Sequence, residues 1–102
     1  MKRWPEFNES GDLPPGIHQA TLPDVVGHFG KGSFQRVIVV ERLQRIYSLS
    51  METGQVTRFI IFGSFVTDEL HPQDIDIFLL MEDTFDVRDV SGEAQILFDH
   101  MA

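Results

Sequence analysis

The 102-residue chain has no cysteine. Disulfides, thiolate zinc sites and cysteine nucleophiles are therefore excluded, which fits a cytoplasmic protein. Basic residues are scarce as well: 8 Lys and Arg against 16 Asp and Glu, for a formal net charge of −8. Phosphate contacts dominate nucleic-acid affinity, so this balance argues against broad nucleic-acid binding. No apolar run approaches the roughly 18 residues that a membrane span requires, so no membrane partner is expected. Lys2 and Arg3 open the chain without an apolar stretch behind them, which argues against a signal peptide. Internal repeats and low-complexity tracts are absent too.

What remains is an ordinary globular composition. Hydrophobic residues make up 42%, with nine Phe, enough for one domain around a single core. The charge is uneven. Residues 31–58 hold five basic and two acidic groups, whereas residues 59–102 hold one basic and ten acidic groups. The basic cluster of Lys31, Arg36, Arg42, Arg45 and Arg58 reads first as a solvated helix face and second as a local phosphate-facing patch.

Residues 1–20 are rich in Pro, Gly and polar groups and read as an N-terminal arm, with Trp4 and Phe7 as anchors onto a domain over residues 21–102. Leu13-Pro14-Pro15-Gly16 is a rigid turn that bars a helix. Thr21 with Asp24 three residues on, and Pro23 between them, predicts a short helix to about Phe29. Ser33 is placed to cap a longer helix to about Ser50, with Val39, Leu43, Ile46 and Ser50 on one face and Val40 and Tyr47 beside it. The β-branched run Val37 to Val40 is also compatible with a strand. Gly54 ends the helical region, and strands follow over Val56 to Phe62 and Ile75 to Met81. Phe65 to Gln73 is a turn or short helix, Phe85 to Val90 is ambiguous, and Gly92 to Met101 reads as a helix packed through Ile96, Leu97 and Met101.

The chemistry concentrates between the two strands. An apolar run ends at Gly63-Ser64, nine residues follow, and Asp74-Ile75-Asp76 opens the next apolar run. In an extended strand Asp74 and Asp76 share one face, as an i, i+2 pair, with Ile75 turned inward. Two adjacent carboxylates invite a divalent cation, and Mg²⁺ (or Mn²⁺) suits them because it shares one or two carboxylates with substrate phosphates. A Gly-Ser turn leaving a strand exposes backbone N–H groups to a phosphate oxygen. Gly63 permits close backbone approach, Ser64 offers a hydroxyl and an N–H, and Thr67 either adds a hydrogen bond or caps the following turn. The plain alternative is a strand-ending turn beside solvated acids.

This pattern resembles the nucleotidyltransferase superfamily, which includes polymerase beta, the poly(A) and CCA-adding enzymes and small antitoxin-type transferases. The motif covers about a fifth of the chain. Leu13 to His18 (LPPGIH) and Gly63 to Thr67 (GSFVT) further resemble a family of small bacterial proteins that carry this transferase-like core. The resemblance implies an α/β (α+β) fold: a small nucleotidyltransferase-like mixed sheet with helices packed on it. It also implies a nucleoside triphosphate as substrate, Asp74 and Asp76 as catalytic metal ligands, Gly63, Ser64 and Thr67 as substrate-binding residues, and a protein or RNA hydroxyl as acceptor. Members of the superfamily commonly carry a third acid on a third strand. No convincing one follows Met81, because Glu82, Asp83, Asp86 and Asp89 read as a solvated acidic loop. The chain is therefore expected to stop before that strand, or to be completed by a second copy or a partner chain. The alternative function is a catalytically inactive module that binds nucleotide or a partner protein. His18, His28, His71 and His100 lack metal-site spacing; His18 is expected to make a structural hydrogen bond and His71 to be a loop residue.

Overall fold

In a computed structural model, the structure describes residues 2–99. The elements in chain order are α1 (Leu22–Phe29), α2 (Phe34–Glu52), β1 (Val56–Phe62), a 3₁₀ turn (Ser64–Val66), β2 (Asp76–Met81), a second 3₁₀ turn (Val87–Asp89) and α3 (Ala94–Asp99). The class is α+β. Among the described residues the sheet is a two-stranded antiparallel pair, where a mixed sheet was expected.

Both long-helix starts follow from their caps. The Thr21 hydroxyl accepts from the Asp24 N–H at 3.2 Å while the Thr21 N–H donates to the Asp24 carboxylate at 3.1 Å, a complete capping box. Gly30 closes α1, and a Cβ there would collide with Val40 of α2, so glycine allows the two helices to close on each other. The Ser33 hydroxyl accepts from Arg36 N–H at 3.2 Å and starts α2. The Val37–Val40 run is helical because that cap and the stripe of Arg36, Val39, Val40, Leu43 and Ser50, all buried, outweigh local β preference.

Phe29, Val39, Leu43 and Phe65 form the driest part of the core, joined by Val25 and Val40. The arm is part of this packing. Trp4 stacks on His28 at 5.0 Å and meets Phe29 edge-on at 5.0 Å, and Phe7 and Leu13 lie against the same cluster. A bridge between Asp12 and Thr67, with Asp68 N–H donating to Gly11 C=O at 3.0 Å, ties the arm to the segment after β1. The inner face of the sheet (Phe59, Ile61, Ile77) packs on this core, and Phe59 meets Tyr47 of α2 edge-on at 5.2 Å. A two-stranded sheet is marginal alone, so this contact keeps it folded.

Gly92–Met101 was expected to be a helix packed through Ile96, Leu97 and Met101. The described helix begins at Ala94 and is buried through Ala94 and Phe98, with Ile96 50% exposed; Met101 lies outside the described residues. Phe85 decides this face, since its ring packs on Phe98 at 5.2 Å. No helix is long and apolar enough to cross a membrane among the described residues.

Candidate functional site

β1 ends because Gly63 adopts φ +85, ψ −163, a region open essentially to glycine alone. A Cβ at Gly63 would also run into the Asp76 carboxylate. The fold thus brings Gly63 and Asp76 together across the twelve residues that separate them. Ser64 opens the 3₁₀ turn, which closes through Val66 N–H to Gly63 C=O and Thr67 N–H to Ser64 C=O, both 3.2 Å. Neither the Ser64 nor the Phe65 N–H donates to a backbone carbonyl outside a helix or strand ladder among the described residues. The Thr67 hydroxyl donates to Ser64 C=O at 2.7 Å and accepts from Glu69 N–H at 3.2 Å, which makes it the cap of this turn.

The segment beyond the turn is fastened by a residue that sequence reasoning missed. Arg36 belonged to the basic cluster read as solvated, yet it is only 5% exposed. Its guanidinium donates to the carbonyls of Phe29 (2.9 Å), Phe65 (2.8 Å), Thr67 (2.7 Å) and Glu69 (3.1 Å from Nε), and lies 5.6 Å from the Phe65 ring centroid. Burial pushes its pKa down, partly offset by the charges of Glu69 and Asp68. An arginine starts so high that it stays cationic. The signal was present in the spacing, because Arg36 lies three residues before Val39 and seven before Leu43 on the buried stripe. The other members of the cluster are exposed.

The two carboxylates are not placed as the strand argument expected. β2 begins at Asp76, opposite Phe62, and Asp74 lies before the strand. The cause is the exit of β1: once Gly63 turns away, Asp74 has no residue to pair with. Its side chain is 83% exposed and sits 3.7 Å from Arg42 Nη1 of α2. Such exposed pairs are weak and screened, so both acids keep oxygens accessible to a cation. Asp74 and Asp76 carry hard carboxylate oxygens of the kind Mg²⁺ or Mn²⁺ takes, and the missing Cβ of Gly63 leaves room for the Asp76 carboxylate. Among the described residues no three His, Asp or Glu side chains gather into one group.

The remaining candidates play structural parts. His18 Nε2–H donates to Pro14 C=O at 2.8 Å, the structural bond expected for the Pro-Pro-Gly-Ile-His segment. His71 is exposed in the loop before Pro72, which is fully buried. His28 is held between Trp4 and Phe29, and its pKa is lowered by burial first and then by Lys31 and Arg36. In the acidic loop, Asp86 is tied to Arg88 at 2.6 Å.

These features define a small α+β domain with a glycine turn set against a strand-end carboxylate. The model of a family of unknown function, DUF6932, matches residues 5–101, and the chain belongs to that family. No curated protein and no solved structure matches it.

Proposed function

We propose that this domain is a nucleotidyltransferase-like unit that binds a nucleoside triphosphate at Gly63-Ser64 and transfers its nucleoside monophosphate to a hydroxyl acceptor. The observation that carries the reading is the contact between Gly63, in a glycine-only conformation, and the Asp76 carboxylate. A glycine turn set beside a strand-end acid suits a metal-bound phosphate, and it follows the Gly-Ser/Asp-x-Asp spacing of the superfamily. A bound Mg²⁺ would supply charge neutralisation at the departing pyrophosphate. The Ser64 N–H and hydroxyl would orient the phosphates, and Asp76, with Asp74, would fix where the cation sits. The acceptor oxygen forms a bond to the α-phosphorus, the bond from that phosphorus to pyrophosphate breaks, and the hydroxyl proton passes to solvent. The acceptor is a protein side chain or an RNA end, and a second copy or partner chain is where a third acid would come from.

One observation favours a second reading, a module that binds nucleotide or a partner protein without catalysis. Arg42 reaches Asp74, so one of the two acids already has a cationic neighbour.

The test is calorimetric titration of each nucleoside triphosphate, with and without Mg²⁺, into the wild type and Asp76→Asn. The expected result is metal-dependent binding that Asp76→Asn abolishes and Arg42→Gln retains or strengthens. A folded wild type that binds no triphosphate sinks the site. Binding with no release of pyrophosphate in the presence of candidate acceptors moves the chain to the second reading.

A further inference from the structure

Asp76 stands at the end of a surface that polar residues would normally cover. On the outer face of the sheet Phe62 lies opposite Asp76, Ile60 opposite Phe78, and Arg58 opposite Leu80. Side chains alternate along a strand, so Asp76, Phe78 and Leu80 share this face with Arg58, Ile60 and Phe62. The four apolar members are all exposed, Phe62 by 50% and Phe78 by 56%. Nothing among the described residues covers them.

We infer that this face is a base platform, on which the base of a nucleoside triphosphate stacks against Phe78 and Phe62 while its phosphates sit at Gly63-Ser64. The inference rests on the nucleotide reading of the turn and adds to it the place of the base. Three observations carry it. The aromatics are continuous with the phosphate end, since Phe62 precedes Gly63 directly and pairs with Asp76. Phe78 is two residues further along β2, about 7 Å away by strand rise, within the span of one nucleotide. The face is also too small for a stable protein partner: four half-exposed side chains offer about 400 Å², against about 800 Å² per partner in a standard interface. Burying the face under a second copy would in addition desolvate Asp76 without a cation. A base needs only a ring's area, tolerates the carboxylate beside its phosphates, and gains from an aromatic surface whatever its hydrogen-bonding pattern. Arg58 at the far end presents a guanidinium suited to the ring edge or face.

The experiment compares ATP with inorganic tripolyphosphate, both with Mg²⁺, by calorimetry on wild type, Phe78→Ala, Phe78→Leu and Phe62→Ala. Phe78 is the cleaner position because it does not adjoin Gly63. Phe78→Leu keeps apolar bulk and guards against a folding artefact. The wild type should bind ATP at least about tenfold more tightly than tripolyphosphate, the order of a single base–aromatic stack. Both Phe78 variants should bring ATP towards the tripolyphosphate value and leave tripolyphosphate itself unchanged. Equal affinity of the wild type for the two ligands overturns the platform while sparing the phosphate site. Binding of neither ligand removes the site and the platform together. Sedimentation at the same concentrations closes the other route: a dimer dispersed by Phe78→Ala assigns the face to a second copy and overturns the inference.

Discussion

Two regions meet at the bond between Phe62 and Gly63, and they are built in opposite ways. Beyond it, the turn through Glu69 is polar in sequence yet tightly held: Phe65 is fully buried, Arg36 gathers its carbonyls, and the arm pairs with it through Gly11 and Asp12. Before it, the outer face of the sheet is apolar in sequence yet bare, with Ile60, Phe62, Phe78 and Leu80 all exposed. A sheet that is apolar on both faces is usually covered on both. Rigidity has thus been placed under the Gly63–Glu69 turn and apolar surface left beside it, the division a site needs if its anchoring part must be preorganised and its contact surface accessible.

The largest expected effect comes from breaking the held region. Arg36→Met removes every donor from the Phe29, Phe65, Thr67 and Glu69 carbonyls at once. Leaving the buried Phe29 and Phe65 carbonyls unpaired should cost about 3–5 kcal/mol, a large share of the 5–15 kcal/mol typical of a domain. Leu80→Thr on the bare face should change stability by no more than about 0.5 kcal/mol. Urea denaturation of the two variants measures the contrast directly. Equal losses would mean that the outer face is covered in solution and the comparison is false.

A smaller effect sharpens the boundary itself. Gly63→Ala forces a Cβ into a glycine-only conformation and against the Asp76 carboxylate. The strain should amount to about 1–3 kcal/mol. Adding Asp76→Ala should relieve the collision but not the backbone strain, so the double variant recovers part of the loss. A double-mutant cycle from denaturation curves reads that coupling. Strict additivity would place the Asp76 side chain away from Gly63.

How far the sequence could be read follows the same division. Features set by neighbouring residues were legible: the Thr21–Asp24 box, the Ser33 cap, β1 from Val56 to Phe62, and the need for glycine at 63. Features set by a distant segment were not. Asp74 reads as a strand residue until the exit of β1 removes its pairing partner. Arg36 reads as a solvated cation until carbonyls some thirty residues later converge on it. Ile96 and Leu97 read as the packing face of α3 until Phe85, in an irregular stretch, selects Phe98. The functional assignment of Asp74 and Asp76 rests on a motif whose first acid the fold places before the strand.

The smallest effect concerns how the arm is kept on the held region, and pH reports it. His28 lies between Trp4 and Phe29, and burial first, then Lys31 and Arg36, lowers its folded pKa. The ordinary value, about 6.5, applies to the unfolded chain. Well above that value neither state binds the proton and folding bears no penalty. As pH falls through about 6.5 the unfolded chain takes up a proton that the folded chain resists, so stability declines until the lower folded pKa is reached. Carboxylates contribute in a more acidic window. Asp24, lowered chiefly by the Thr21 backbone hydrogen bond, and Asp86, lowered chiefly by Arg88, lose their contributions only as pH falls through their folded values, below the usual carboxylate range. The two windows are separable. Between pH 7 and 5 the wild type should lose stability and Trp4 fluorescence should shift as the arm loosens, whereas His28→Phe, which preserves the aromatic stack and cannot titrate, should hold both nearly constant. A wild-type profile as flat as that of the variant would mean that His28 is as free to protonate in the folded chain as in the unfolded one, and that the arm is fastened by Gly11 and Asp12 rather than by the Trp4–His28 stack.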